Sequence, residues 1–267
     1  MFKIGFIGFG NMAKAICGGI LKAGLVAAAD ICTYDLSQDA MQAASDMGVN
    51  LCKNEIELTT CSHYVFLCVK PQGITEVLNT IKPHANARSN VFLSIAAGIT
   101  TESIQKILGE DMPIIRAMPN TPLLLACGTI ALCKTQNADE ESYSFIKTVF
   151  KSVGSVYEIP EEKFNEIINV NGSTPAYIYL FAETVAKYAQ ISGVDYDIAL
   201  QMFCDTLIGS AKMMKESGKT PNELIEMVSS KGGTTVAAIE SFKANGFSDV
   251  LEKGMNACVK RAYELSL

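Results

Sequence analysis

Hydrophobic positions in the first 160 residues fall into short runs separated by stretches of helical periodicity. Runs over 2–7, 31–35, 64–69, 91–95, 112–117, 127–133 and 154–158 have the length and composition of buried strands. Between them, apolar residues recur at helical spacing over 11–23, 38–47, 73–81, 101–108 and 139–151. Alternating strands and helices predict an α/β fold with a Rossmann-like, doubly wound and mainly parallel sheet. Such sheets bind ligands at the carboxyl ends of their strands.

After residue 160 the strand pattern stops. Helices are predicted over 176–191, 195–217, 221–228, 235–244 and 247–265, giving domains at 1–160 and 161–267. The helix from Ala176 to Ile191 carries Tyr177, Ile178, Leu180, Phe181 and Val185 on several faces. A helix apolar nearly all round needs cover on all sides, which a domain of this size has difficulty supplying alone. An all-helical C-terminal dimerisation domain is therefore expected.

With 49% hydrophobic and 19% charged residues, the chain is globular. A net charge of −6 argues against nucleic acid or an anionic membrane as partner. Residues 117–133 lack charge but contain Pro119, Pro122 and Gly128, so no membrane span is expected. Met1 leads directly into the first strand, and no signal peptide is read there. The nine cysteines show no C-x-x-C spacing and sit mostly in apolar runs. They read as reduced thiols in a reducing cytoplasm, with no metal site. His63 and His84 are expected in surface loops.

Three segments carry candidate chemistry. The first, Gly8-Phe9-Gly10-Asn11-Met12-Ala13, follows a strand and opens a helix. Here Gly8 permits a tight turn, Gly10 lets a pyrophosphate approach the backbone, and Ala13 keeps helix and strand close. The next strand ends at Asp35, where this fold places an acid on the adenosine ribose. No arginine follows Asp35 closely, so NADH is expected to be preferred over NADPH; alternatively Asp35 caps the helix from Gln38. The second segment comprises later strand ends. Val69-Lys70-Pro71, Ala96-Ala97-Gly98 and Asn120 fall where a nicotinamide ring would lie. The third, Ser229-Ser230-Lys231-Gly232-Gly233-Thr234-Thr235, precedes an amphipathic helix. Hydroxyls, adjacent glycines and a helix N-terminus suit a small carboxylate or phosphate, although a capped turn between helices uses the same residues.

Over essentially its full length the chain resembles pyrroline-5-carboxylate reductases. The glycine turn, Val69-Lys70-Pro71-Gln72 and Ala96-Ala97-Gly98-Ile99-Thr100 match, as do Arg116 to Pro122, Gly172 to Tyr177, and Val228 to Thr235. Lys231 stands where the family usually has proline. The resemblance implies NAD(P)H-dependent reduction of 1-pyrroline-5-carboxylate to L-proline, the last step of proline biosynthesis. Ser230, Gly232, Gly233, Thr234 and Thr235 would then hold the substrate carboxylate. Thr235, or a water it orients, would supply the proton. The family also places Asn54 near the adenosine ribose and Glu161 near the substrate, although an acid at a helix start reads equally well for Glu161. It further implies a homodimer through the C-terminal helices, possibly a decamer, with the active site where the two domains meet.

Two rivals share the layout. A β-hydroxyacid dehydrogenase would need a lysine early in the long helix, but the first one there is Lys187. A non-catalytic dinucleotide sensor would have no use for a carboxylate-binding loop. Six-membered cyclic imines, one methylene larger, differ from the substrate by only ~1–3 kcal/mol of discrimination.

Overall fold

A computed structural model describes residues 1–265; Ser266 and Leu267, the end of the expected 161–267 domain, lie outside the described residues. Eight strands form one sheet: β1 (Phe2–Ile7), β2 (Ile31–Tyr34), β3 (Asn50–Leu51), β4 (Ser62–Leu67), β5 (Val91–Ser94), β6 (Ile114–Met118), β7 (Gly128–Lys134) and β8 (Gly154–Glu158). Their order is β3-β2-β1-β4-β5-β6-β7-β8. The first six are mutually parallel, and β7 reverses against β6, pairing Met118 with Ala131. That order, 3-2-1-4-5-6, is the doubly wound one and puts a switch point between β1 and β4.

Helices α1 (Asn11–Lys22), α2 (Gln38–Asp46), α3 (Glu55–Cys61), α4 (Pro71–Ile81), α5 (Thr101–Leu108) and α6 (Glu140–Lys151) cover the sheet. Strand alternation divides the core in two. Ile4, Phe6, Tyr64, Phe66, Val91 and Leu93 point to one face, with Ile16 and Ile20 of α1 and Phe150 of α6. Ile7, Val65, Leu67 and Phe92 point to the other, with Leu58, Ile74, Leu78 and Ile104 from α3, α4 and α5. Burial on both faces is why the central strands read as unbroken apolar runs.

Three local expectations are corrected. β3 and α3 were not expected: β3 has two residues, and α3 holds Thr59-Thr60-Cys61, poor helix formers stabilised by the Asn54 cap. β4 starts at Ser62, so His63 is a half-buried strand residue, not a loop one; its Nδ1 lies 2.7 Å from the Ser89 carbonyl oxygen. Ser37, not Asp35, caps α2, accepting from the Ala40 N–H at 3.3 Å.

Two compact units result. The first is Met1–Ser173 with residues 259–265; the second is Thr174–Cys258. The expected division at 160/161 differs because residues 161–173 are fastened to the first unit. Phe164 is fully buried against the Arg116 guanidinium, and the Asn171 amide donates to the Met118 carbonyl. Near the C-terminus, the Tyr263 hydroxyl donates to Glu166 at 2.5 Å.

The second unit is helical. It contains α7 (Thr174–Ile191), α8 (Tyr196–Glu216), α9 (Pro221–Met227), α10 (Thr234–Ala244) and the greater part of α11 (Phe247–Leu265). Asp195 caps α8, and Thr220 with Glu223 forms a reciprocal cap on α9. Phe181 of α7 meets Phe203 of α8 edge to face. In the single chain Ile178, Tyr179, Leu180, Tyr188, Met202 and Met213 remain exposed. Among the described residues no helix is long and apolar enough to cross a membrane.

Candidate active site

In the first unit, the loops after β1, β4, β5 and β6 surround a cavity of about 720 Å³. That is the size of an ordinary cofactor or ligand pocket. Met12 lines it from the start of α1, Cys68 to Gln72 from the turn after β4, Ile95 to Ile99 from the turn after β5, and Arg116 to Pro119 from the end of β6. Asn165, Ile168, Gly172 and Ser173 contribute from the segment before α7.

The glycine turn is built for close approach. Gly8 has φ +89°, and a Cβ there would stand 2.9 Å from the Cys68 carbonyl carbon. Gly10, by contrast, faces open space, where a phosphate can reach the backbone at the start of α1. Ala13 is buried beneath the turn, as its assigned packing role requires. Asn11 opens α1. The Phe9 ring is fully buried and meets Phe6 edge to face, so it anchors the turn in the core.

Asp35 is tied to this turn. One carboxylate oxygen accepts from the Phe9 N–H at 2.6 Å and the other from the Ser37 N–H at 2.8 Å. The acid thus locks the end of β2 to the glycine loop while remaining at the edge assigned to ribose. Exposed Asn54 caps α3, its Oδ1 accepting from Glu57 N at 2.8 Å. Lys70 sits at the N-cap position of α4 without a side-chain cap bond, and Pro71 opens the helix two residues earlier than expected. Gly98, at φ +78°, turns the chain beside Ala96 and Ala97.

Two predicted residues sit elsewhere. Asn120 does not line the cavity: its Oδ1 accepts from Thr129 N at 2.8 Å and its amide donates to the Asn171 carbonyl at 3.3 Å. Glu161 also lies off the cavity wall. Its carboxylate accepts from Arg116 Nη1 at 2.9 Å, from Thr101 N at 2.8 Å and from Thr101 Oγ1 at 2.5 Å. Arg116, which sequence reasoning did not single out as a site residue, therefore faces the cavity with its charge already paired. Its place in the Arg116 to Pro122 motif was the available signal. Burial pushes the thiol of Cys68, also on the wall, well up, which disfavours its thiolate.

In the second unit, the chain from Ser229 to Gly233 forms a tight turn into α10. Gly232 takes φ +72°, the Gly233 N–H donates to the Ser230 carbonyl at 2.9 Å, and Gly233 is the N-cap with no side-chain cap bond. The first intrahelical bond, Ala237 N to Gly233 O, leaves the N–H groups of Thr234, Thr235 and Val236 at the open end of the helix. Thr235 is half-buried; Ser230 and Thr234 are exposed. The Ser229 hydroxyl is buried and finds no partner among the described residues. This loop can grip a carboxylate with backbone and hydroxyl groups.

A family model described as pyrroline-5-carboxylate reductase dimerisation matches residues 161–265, and one described as NADP oxidoreductase, coenzyme F420-dependent, matches residues 3–98. Pyrroline-5-carboxylate reductase of Escherichia coli strain K12 is 35% identical over 99% of this chain and 98% of its own length. The chain belongs to the pyrroline-5-carboxylate reductase family. The Pisum sativum reductase is 32% identical over 99% of this chain and 96% of its own. Among solved structures, the Coxiella burnetii reductase superposes with a TM-score of 0.91 at 31% identity, covering 100% of this chain and 99% of that one. The NADP-bound Plasmodium falciparum reductase superposes with a TM-score of 0.90 at 26% identity, covering 100% and 98%. The helices that leave apolar side chains open are those through which this family of reductases assembles.

Proposed function

We infer that this reductase converts 1-pyrroline-5-carboxylate to L-proline with NAD(P)H. The observation that carries this reading is the pairing, in a chain matched end to end by reductases of that name, of an open glycine turn with an uncapped helix start flanked by hydroxyls. The first fits a dinucleotide pyrophosphate, since Gly10 opposes nothing that would bar it. The second fits a small carboxylate. When bound, the nicotinamide supplies hydride to the imine carbon. The strand-end backbone from Cys68 to Pro71 and from Ala96 to Gly98 would hold that ring. The α10 N–H groups, with Ser230 and Thr235, orient the substrate through its carboxylate. A protonated imine accepts hydride more readily, and Thr235, or a water it holds, passes a proton to the ring nitrogen. Most of the acceleration comes from positioning, worth ~7–11 kcal/mol when two reactants are held together.

Asp35 favours NADH, because a 2′-phosphate placed beside it meets a negative charge with no guanidinium close in sequence. Assembly beyond the dimer to a decamer follows the family pattern. Mixing purified protein with 1-pyrroline-5-carboxylate and each cofactor tests the reading: proline formed as reduced cofactor disappears supports it. Tight dinucleotide binding without turnover would replace the reductase with a sensor.

A further inference from the structure

The site leaves unused a cluster of three thiols on the far edge of the first unit. Cys32 of β2, Cys52 just after β3 and Cys61 at the end of α3 bring their sulfurs within 4.8 Å of one another. The Cys52 and Cys61 sulfurs are 4.0 Å apart, and Cys32 Sγ lies 3.2 Å from the Ser62 hydroxyl. Cys32 and Cys52 are buried, while Cys61, the last residue of α3, is half-buried. Backbone bonds fix the geometry: Cys52 N–H donates to the Thr33 carbonyl at 2.9 Å, and β3 is in register with β2 at Cys32 opposite Asn50. Among the described residues this is the one such group of metal-ligating side chains.

Three sulfurs converging with no fourth Cys, His or carboxylate beside them among the described residues suit a three-coordinate, thiophilic centre. Charge narrows the class. Three thiolates around a monovalent or divalent cation would leave net negative charge in a buried site, next to a segment where Glu57 already accepts from Lys53 N. A trivalent centre avoids that cost. We propose that Cys32, Cys52 and Cys61 form a binding site for trivalent arsenic or a similar soft metalloid, taken up as its hydroxide. Each thiol replaces one hydroxide: three As–O bonds break, three As–S bonds form, and the three thiol protons leave with the hydroxides as water. The complex is neutral and no redox step is involved.

The test adds arsenite to the reduced, full-length protein without oxygen, and follows the adduct by native mass spectrometry and arsenic X-ray absorption. The expected result is one arsenic per chain with three sulfur neighbours. Cys61→Ser, at the half-buried position, should weaken binding about a hundredfold by removing one arm of the chelate, with unchanged circular dichroism. Cys32→Ser should act alike, and Cys61→Ser decides if that variant misfolds. Cys204→Ser, at an exposed site in the second unit, should bind as the parent does. Binding in Cys61→Ser as tight as in the parent, arsenic with fewer than three sulfurs, or no adduct beside stoichiometric zinc would each overturn the assignment.

Discussion

Glu161 separates two accounts of the site, and its removal distinguishes them. If it contacts substrate, as the resemblance implies, Glu161→Ala raises KM and leaves stability alone. The structure supports a different role. The carboxylate holds three hydrogen bonds, two to Thr101 and one to Arg116, and the Arg116 side chain is only 4% exposed. Removing one partner of a buried pair strands the other charge, at about 3–5 kcal/mol. Because the Glu161 side chain is itself 27% exposed, water offsets part of this, and a loss of about 3 kcal/mol is expected. Glu161→Gln keeps one acceptor oxygen and loses the charge and the second acceptor, so an intermediate loss of about 1.5 kcal/mol is expected. Arg116→Met also removes the guanidinium stacked 4.6 Å from the Phe164 ring centroid. The double variant should fall short of the summed single losses by about 2 kcal/mol, as coupled neighbours do. Urea unfolding reads all of this as midpoint shifts at constant slope. Unchanged midpoints with a raised KM would refute the structural role and return Glu161 to the substrate.

Other perturbations follow from the same geometry. Gly8→Ala forces a β-carbon onto the Cys68 carbonyl at positive φ, costing about 1–2 kcal/mol from the backbone conformation alone; dinucleotide affinity measured by fluorescence should fall sharply. Asp35→Ser removes the charge proposed to repel a 2′-phosphate, so the NADPH-to-NADH ratio of kcat/KM should rise, about tenfold for 1.4 kcal/mol; an unchanged ratio would show that Asp35 only braces the Phe9 and Ser37 N–H groups. Thr235→Ala should lower kcat with NADH affinity retained in calorimetry, and equal turnover would remove Thr235 from the proton path. Asp139 caps α6, and the Ser142 backbone N–H holds its carboxyl below the usual range. A lowered folded pKa stabilises above the unfolded value and is lost as pH falls through the folded one. Asp139→Ala should therefore cost about 1 kcal/mol at neutral pH, and the gap in thermal midpoint should close below about pH 4.

The strands and long helices were legible because each has one dominant periodicity. Phe6, Phe66 and Leu93 alternate with Ile7, Leu67 and Phe92, so a two-sided core shows as continuous apolar runs. What escaped had no periodicity to show. β3 is two residues long, and α3 depends on the Asn54 cap, a through-space bond that no apolar pattern encodes. The same distinction governs the site. Backbone-determined parts, Gly8 with its positive φ and Gly233 opening α10, were readable because glycine is itself the signal. Side-chain partnerships were not. Asn120 and Glu161 carry groups able to bind a ligand, yet both are committed to bonds with residues from 9 to 60 positions away in sequence. The three thiols show this most sharply. Spacings of 20 and 9 residues match no metal motif, and only the parallel pairing of β2 with β3 and the packing of α3 bring Cys32, Cys52 and Cys61 together. Chemistry written in backbone conformation is local and survives reading in one dimension; chemistry written in contacts between elements exists only after the sheet has set their register.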